Sequence, residues 1–457
     1  MDKPYADKLG EFTEKLKFQD LPSSVVTKAK LHFLDTIGVG LASVGLPFSK
    51  VLSELVDEWG GKEQSTVWGY GLLVPSPNAA LVNASMVHGN DYDDTHPEAI
   101  IHVSTTVVPT TLAVAEGEAA DGKSMITAAI AASEALIRIG QTAAGKFHER
   151  GYHPTGVAGA FGATIAAGKL LGLNSDQIAN AMGIAGSQAA GLQEFMQVGS
   201  WIKRFHPGWA SHAGIIAAQM ASRGFTGPKT VFEGKFGLYR SHLGNARYNL
   251  TKLNGQLGKR WELLNISFKP YPCCNFSHAF MDCAFDTIRK SRLKLEDVKE
   301  ITCKIHPTEA QLVMEPRKLK QAPKTEYDAK FSLPYSIGLL LVEGEAGTQQ
   351  FTPEKLKDPK VLEVARKVKY TRYNDPFFPR YFPGWVVITT KNGKKYQNRI
   401  TKNHGTKENP MSRSEIVAKF KANASRAISH EKVNKIIAAI DKLEQLPSAS
   451  ELTDLLS

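Results

Sequence analysis

Glycine and alanine recur along the first part of this chain at helical spacing, and that pairing narrows the possible folds more than any other feature. The stretch from Gly156 to Gly168 presents mostly hydrogen atoms and methyl groups to its neighbours. Small side chains let helix axes approach closely, so it reads as a buried, tightly packed helix rather than a phosphate-binding loop. Val26, Ala29, Phe33, Ile37 and Leu41 share a helical face behind Pro22, Ser23 and Ser24, whose hydroxyls are suited to capping. Ile126, Ala129, Ile130, Ser133 and Ile137 repeat the pattern after Gly122. An all-helical core is expected over roughly the first 260 residues.

From about Ser267 the texture changes to prolines, aromatics and period-two alternation, as in Ile301 to His306. Trp385 to Thr390 runs into Asn392-Gly393, a hairpin signal in which both turn positions are expected at positive φ. A helical run from Val361 to Val368 lies between these strands, giving a second, smaller α+β domain over 267–402. Ser412 followed by Glu415 forms a capping-box pattern that opens helices continuing to the C-terminus. The expected division is therefore 1–266, 267–402 and 403–457, within a length of 457 residues that suits two or three cores.

Lys and Arg number 56 against 45 Asp and Glu, a formal charge of +11. Such an excess suits a nucleic acid, an anionic small substrate or a solvated surface. No dense basic block and no aromatic-interleaved RNA motif is present, so nucleic acid is not the expected partner. The start, Met1 to Asp7, lacks the basic and apolar regions of a signal peptide, and the most apolar stretches are too short to span a bilayer. Cys273, Cys274, Cys283 and Cys303 form no Cys-x-x-Cys pair and no structural zinc spacing. A cytoplasmic setting without a membrane partner is expected.

Gly117 to Ser124 satisfies the P-loop spacing in full, yet Glu116, Glu118 and Asp121 would crowd carboxylates beside a phosphate. It reads instead as a helix, an Asp121-Gly122 turn and another helix. A second cluster is Asp91, Asp93, Asp94, Thr95 and His96, with His102 beyond it. On a helix Asp91 would share a face with Asp94 and Thr95, and crowded carboxylates would raise one another's pKa. Helix-terminating caps are the structural alternative. No two-histidine spacing supports a metal there. Cations and proton-transfer groups also lie among aromatics and prolines at His153, at Lys203, Arg204 and His206, and at Lys269, Cys273, Cys274 and His278. Such surroundings suit a walled pocket in which a carboxylate substrate is desolvated.

Taken together the sequence resembles the MmgE/PrpD family of 2-methylcitrate dehydratases, cis-aconitate decarboxylases and iminodisuccinate epimerases. The resemblance spans nearly the whole chain and is carried by Lys28 to Gly38, Asp91 to His96, Val107 to Glu116, Lys203 to Gly214, Lys269 to Cys274 and Asp328 to Tyr335. It implies a mainly α fold, with a large all-helical domain built from both chain ends and a smaller inserted α+β lid domain. It also implies a homodimer, a small di- or tricarboxylate substrate, and neither metal nor organic cofactor. Carried over by motif, His102 would be the foremost general acid/base. His153, Asp91 and Thr95 would position substrate or tune proton transfer, and Lys203, Arg204, Lys269 and Tyr335 would bind it. Such reactions build negative charge beside carboxylates, which fixed cations stabilise.

The pattern departs at two places. The decarboxylases and some dehydratases have a histidine five residues after the lid lysine, where this chain has Cys274, and the usual His-Pro-Ser is here His102, Val103 and Ser104. Cys274 either moves protons or merely packs. The first expectation is a lyase, by dehydration or decarboxylation. The alternative is an isomerase of the epimerase kind using His102 and Cys274, and a phosphate- or nucleic-acid-binding protein is a third.

Overall fold

The computed structural model describes residues 3–198, 200–378 and 381–457. The chain forms two compact units, one comprising Met1–Gly89, Asp93–Ile266 and Ser412–Ser457, the other Asn90–Tyr92 and Ser267–Met411. The molecule is mainly helical, and no described helix is long and apolar enough to cross a membrane.

In the first unit the small residues do what their spacing predicts. The Pro154–Leu170 helix is buried from Pro154 to Gly168. The Ile202–Ser222 helix lies so close to it that a Cβ on Gly214 would come 2.5 Å from Ala163 Cβ and 2.7 Å from Ala160 O. The same helix meets the Ser76–Val87 helix at Gly208, where a Cβ would fall 2.4 Å from Leu81 O. Only glycine permits such backbone approach. The Ser23–Leu41 helix buries Ala29, Phe33, Ile37 and Leu41 as expected, whereas Val26 is only half-buried and Val25 takes the buried place. Its serines make no cap, because Pro22 occupies the N-cap position. The C-terminal Arg413–Ala424 helix packs on it through Phe420 at Gly38, and Lys419 pairs with Asp35 at 2.8 Å, so early and late segments share one core.

The P-loop spacing resolves as two helices, Ser104–Gly117 and Gly122–Ala143, with Asp121 as N-cap accepting from Ser124 N. A Cβ on Gly122 would fall 1.6 Å from Leu443 O, so its backbone is occupied by protein, where a phosphate cradle would have to be open. The one described sheet of this unit is a short antiparallel pair, β1 (Ser65–Val67) and β2 (Leu72–Val74).

The second unit holds a four-stranded sheet of β3 (Val298–Ile305), β4 (Val368–Arg372), β5 (Gly384–Thr390) and β6 (Lys395–Ile400), in the order β4-β3-β5-β6. β3 runs parallel to β4 and antiparallel to β5. Ile301, Cys303 and Ile305 point into a core shared with the Asn275–Ser291 and Leu333–Glu343 helices. β5 and β6 form the expected hairpin, but its turn differs from the expectation. Gly393 alone takes a positive φ of 85°, its N–H bonds to Thr390 O, and Thr390 N bonds to Lys394 O. This is the longer turn closed by a glycine bulge, in which Asn392 instead lends its side-chain oxygen to Thr390 Oγ1 at 2.6 Å. Glu309 in the Pro307–Val313 helix is buried, and its Oε1 has no hydrogen-bond partner among the described residues.

Candidate active site

The acidic stretch is not the helix that its spacing allows. Helix Ser76–Val87 ends in a single tight turn, His88–Asn90, after which Asp91 adopts φ 53°. Aspartate tolerates this left-handed conformation because its short polar side chain bonds locally. The carboxylates consequently diverge instead of crowding. Asp91 pairs with Lys269 Nζ at 3.1 Å, Asp93 with His88 Nδ1 at 2.7 Å, and Asp94 with His32 Nδ1 at 2.6 Å. Asp94 also accepts from Ser104 N at 3.0 Å. Burial pushes the Asp94 carboxyl up, but His32 and Ser104 outweigh it and bring it down to about 2, opposite to the expected direction.

These contacts seat His102. His96 N bonds to Ile101 O at 2.8 Å, closing a tight loop in which Ile100 takes φ 55° and returns the chain beside residues 93–95. His102 Nδ1 lies 3.0 Å from Asp94 O, 3.3 Å from Asp93 Oδ2 and 3.4 Å from Thr95 Oγ1, and His102 N donates to Thr155 Oγ1 at 3.1 Å. A backbone carbonyl can only accept, so Nδ1 carries the proton and Nε2 is the ring's working atom.

Two further imidazoles lie beside it and a third beyond them. His88 sits edge-on to His102 with centroids 4.7 Å apart and stacks on His153 at 5.4 Å. His153 is the N-cap residue of the Pro154–Leu170 helix, and its Nδ1 lies 3.1 Å from His206 Nδ1. Gly191, at φ 134°, passes so close that a Cβ would come 3.3 Å from the His206 ring. Burial, then His88, Lys203, His206 and His102, hold His153 well below the usual histidine range. Burial and Lys203 bring His206 down to about 4. Lys203, buried in the first turn of the Ile202–Ser222 helix, is thus electrostatically close to both. Arg204 Nε donates to Gly89 O at 3.0 Å and its guanidinium covers the Phe48 ring at 4.7 Å, which fixes the turn that presents His88.

The first unit therefore gathers Thr95, His102, His153, Lys203 and Arg204. Asp91, Lys269, Cys274 and Tyr335 belong to the second. There Lys269 Nζ also donates to Asp91 O at 2.8 Å, and Lys330 Nζ donates to Asn90 O at 3.0 Å and Pro272 O at 3.2 Å. Tyr92 OH donates to Pro270 O at 2.9 Å. Cys274 caps the Asn275–Ser291 helix, buried, and its N–H bonds to Lys330 O. Burial pushes the neighbouring Cys273 thiol up. Tyr335 is buried in the unit's core, and its hydroxyl has no hydrogen-bond partner among the described residues; burial, then Asp358 and Glu343, push it up.

Sequence reasoning did not single out His88. His88 follows an apolar helix with nothing beside it in sequence to mark it, and only the tertiary fold brings it to His102. His206, Asp93, Asp94 and Lys330 lay inside the motifs above without an assigned role.

Residues 7–251 match the MmgE/PrpD N-terminal domain and residues 271–445 the MmgE/PrpD C-terminal domain. A protein from Homo sapiens named cis-aconitate decarboxylase is 30% identical, over 96% of this chain and 92% of its own length. Proteins of the same name from Aspergillus terreus and Mus musculus are each 27% identical, over 98% and 96% of this chain and 94% and 91% of their own.

Proposed function

The chain belongs to the MmgE/PrpD family and is an enzyme of its lyase type, and from that premise we propose that it removes CO2 from cis-aconitate or a closely similar tricarboxylate. Breaking the bond to a carboxyl carbon leaves an electron pair on the carbon that held it, conjugated with the neighbouring double bond. One proton must be delivered to that system, so a trianion and a proton become a dianion and CO2. His102 delivers it from Nε2 as the imidazolium, which the Asp93 carboxylate and the Asp94 carbonyl stabilise at Nδ1, and solvent restores the proton afterwards.

The observation that carries this reading is the setting of His102: a fixed tautomer beside a carboxylate, next to imidazoles on which the Lys203 charge acts. His153 and His206 are held neutral; with the His153 Nδ1 proton directed at His206 Nδ1, His206 is proposed to donate from Nε2 to a substrate carboxylate, with Lys203 as the cation that recognises it, His153 holding the His206 tautomer and Thr95 orienting the His102 ring. Arg204 acts by holding the His88 turn. For the second unit, Lys269 and Asp91 are proposed to act as an ion pair, with Cys274 and Tyr335 buried in that unit's core. The proposal includes a homodimer, supported by exposed Leu192, Met196, Trp201, Ile202 and Trp209 within one short segment. Light scattering at twice the chain mass would agree with it.

The deciding experiment incubates the protein with cis-aconitate, citrate and 2-methylcitrate at millimolar concentration and follows the products by NMR. CO2 release with a vinylidene product from cis-aconitate is expected. Water loss from 2-methylcitrate alone would move the assignment to the dehydratases, and consumption of none would reject the reading.

A further inference from the structure

His88, His102 and His153 come from three separate segments, yet one ligand atom from each lies within 4.8 Å of the others. Each ring has its Nδ1 engaged: His88 with the Asp93 carboxylate at 2.7 Å, His102 with Asp94 O at 3.0 Å and His153 with His206 Nδ1 at 3.1 Å. A carboxylate or carbonyl on one ring nitrogen is the usual outer partner of a metal-bound histidine, because it fixes the ring and raises the basicity of the other nitrogen. No pair of these histidines shows the short spacing by which metal motifs are read from sequence.

We propose that the Nε2 atoms of His88, His102 and His153 bind one divalent transition-metal ion of the zinc class, leaving a fourth position for water or a carboxylate. A tetrahedral ion sits about 2.0–2.1 Å from each nitrogen, which places the nitrogens roughly 3.4 Å apart, so atoms now within 4.8 Å of one another close by up to about 1.4 Å to take it. Three imidazoles with an open fourth position suit zinc, cobalt or nickel better than magnesium or calcium, which prefer oxygen. The Lys203 charge opposes a dication here, and the Asp93 and Asp94 carboxylates offset it. The ion takes the His102 lone pair that would carry the proton, so a loaded site does not turn over. This second half rests on the proton-transfer role proposed above; the binding itself does not.

Chelator-treated full-length protein is titrated with Co2+, read by its visible absorption, and with Zn2+, read by calorimetry. One equivalent per chain with the intense absorption of tetrahedral cobalt is expected. His88→Gln and His153→Gln should each weaken binding at least about tenfold, and Asp93→Asn by roughly 10–100-fold. His430→Gln, at an exposed helix start, should leave it unchanged. Circular dichroism identifies variants that have not folded, and either histidine variant suffices. No binding, octahedral cobalt, or affinity equal in wild type and a folded histidine variant overturns the site. In the activity arm, one equivalent of Zn2+ should abolish decarboxylation and chelator should restore it. Turnover that persists in the loaded protein, or that requires the metal, overturns the inhibitory half. Should no acid be consumed at all, the binding arm still decides the site, and the failure falls on the functional reading alone.

Discussion

In the second unit the buried Lys269 meets the carboxylate of Asp91 at 3.1 Å and Lys330 is held by two backbone carbonyls, whereas in the first unit His153, His206 and Lys203 are neighbours that disfavour one another's charge. One arrangement is closed: its positive charges have protein partners, and removing one partner leaves a buried charge alone. The other carries imidazoles held neutral in part by the Lys203 field, and an anion arriving there relieves the repulsion and favours their protonated forms. The difference teaches where a substrate lowers the energy and where protein charge already has.

The strongest test of this contrast is His102→Ala, expected to lower turnover by roughly 10²–10⁴-fold with an unchanged far-UV spectrum, as for a general acid/base. Wild-type rates in that variant would remove His102 from the proton path. Next, Lys269→Met should cost about 3–5 kcal/mol in urea unfolding by stranding the Asp91 carboxylate, and Asp91→Asn in the same background should recover part of it. A loss of activity with no loss of stability would erase the distinction between the regions. Lys203→Met should instead raise KM for the carboxylate substrate by roughly 10–100-fold, the worth of a charged hydrogen bond, with a smaller loss of stability than Lys269→Met because the like charge of its imidazole neighbours is relieved. A stability loss matching that of Lys269→Met would make the two lysines alike.

The smallest effect concerns a buried carboxyl of the second unit, Glu309, whose Oε1 has no partner among the described residues. Burial, opposed by a bond from the His306 backbone and aided by Asp375, raises Glu309 from 4.5 to about 8. The folded chain then keeps a proton that the unfolded chain releases, so the stability this group supplies is full below about pH 4.5 and lost as pH rises through about 8. Glu309→Gln should match wild type near pH 4 and exceed it by about 1–3 kcal/mol at pH 9, the usual worth of an unsatisfied buried group. A pH-independent difference in unfolding free energy would show that Glu309 does not titrate across this window.

Much of the fold was legible where short-range rules govern. The helix faces, the capping box at Ser412 and Glu415, and the two helices under the P-loop spacing each follow from neighbouring residues, and the structure has them all. The hairpin was legible but its turn was not, because Asn392 can either take positive φ itself or use its side chain to bond Thr390, and the neighbours choose. The acidic stretch left a helix face and terminating caps both open for a related reason: Asp91 leaves the helical region, and from there each carboxylate finds a different partner, Lys269, His88 or His32. The site residues came from motif resemblance rather than from spacing. His88 shows the limit, since its meaning lies in contacts with residues 93, 102 and 153 that no local pattern encodes.

Gly208 and Gly214 lie on the same helix that carries Lys203 and His206, and each presses bare backbone against a different neighbour: the helix that ends beside His88, and the helix that begins after His153. Gly214 stands about 16 Å along the axis from Lys203, at 1.5 Å per residue. A helix clamped at that distance behaves as a rod on a pivot, so a tilt of about 4° imposed at Gly214 swings the far end by roughly 1 Å, enough to spoil a proton transfer or a carboxylate contact. The chemistry of this pocket can therefore be retuned from positions that never touch a ligand, and a methyl group three turns away is a stronger instrument than many changes made beside the imidazoles.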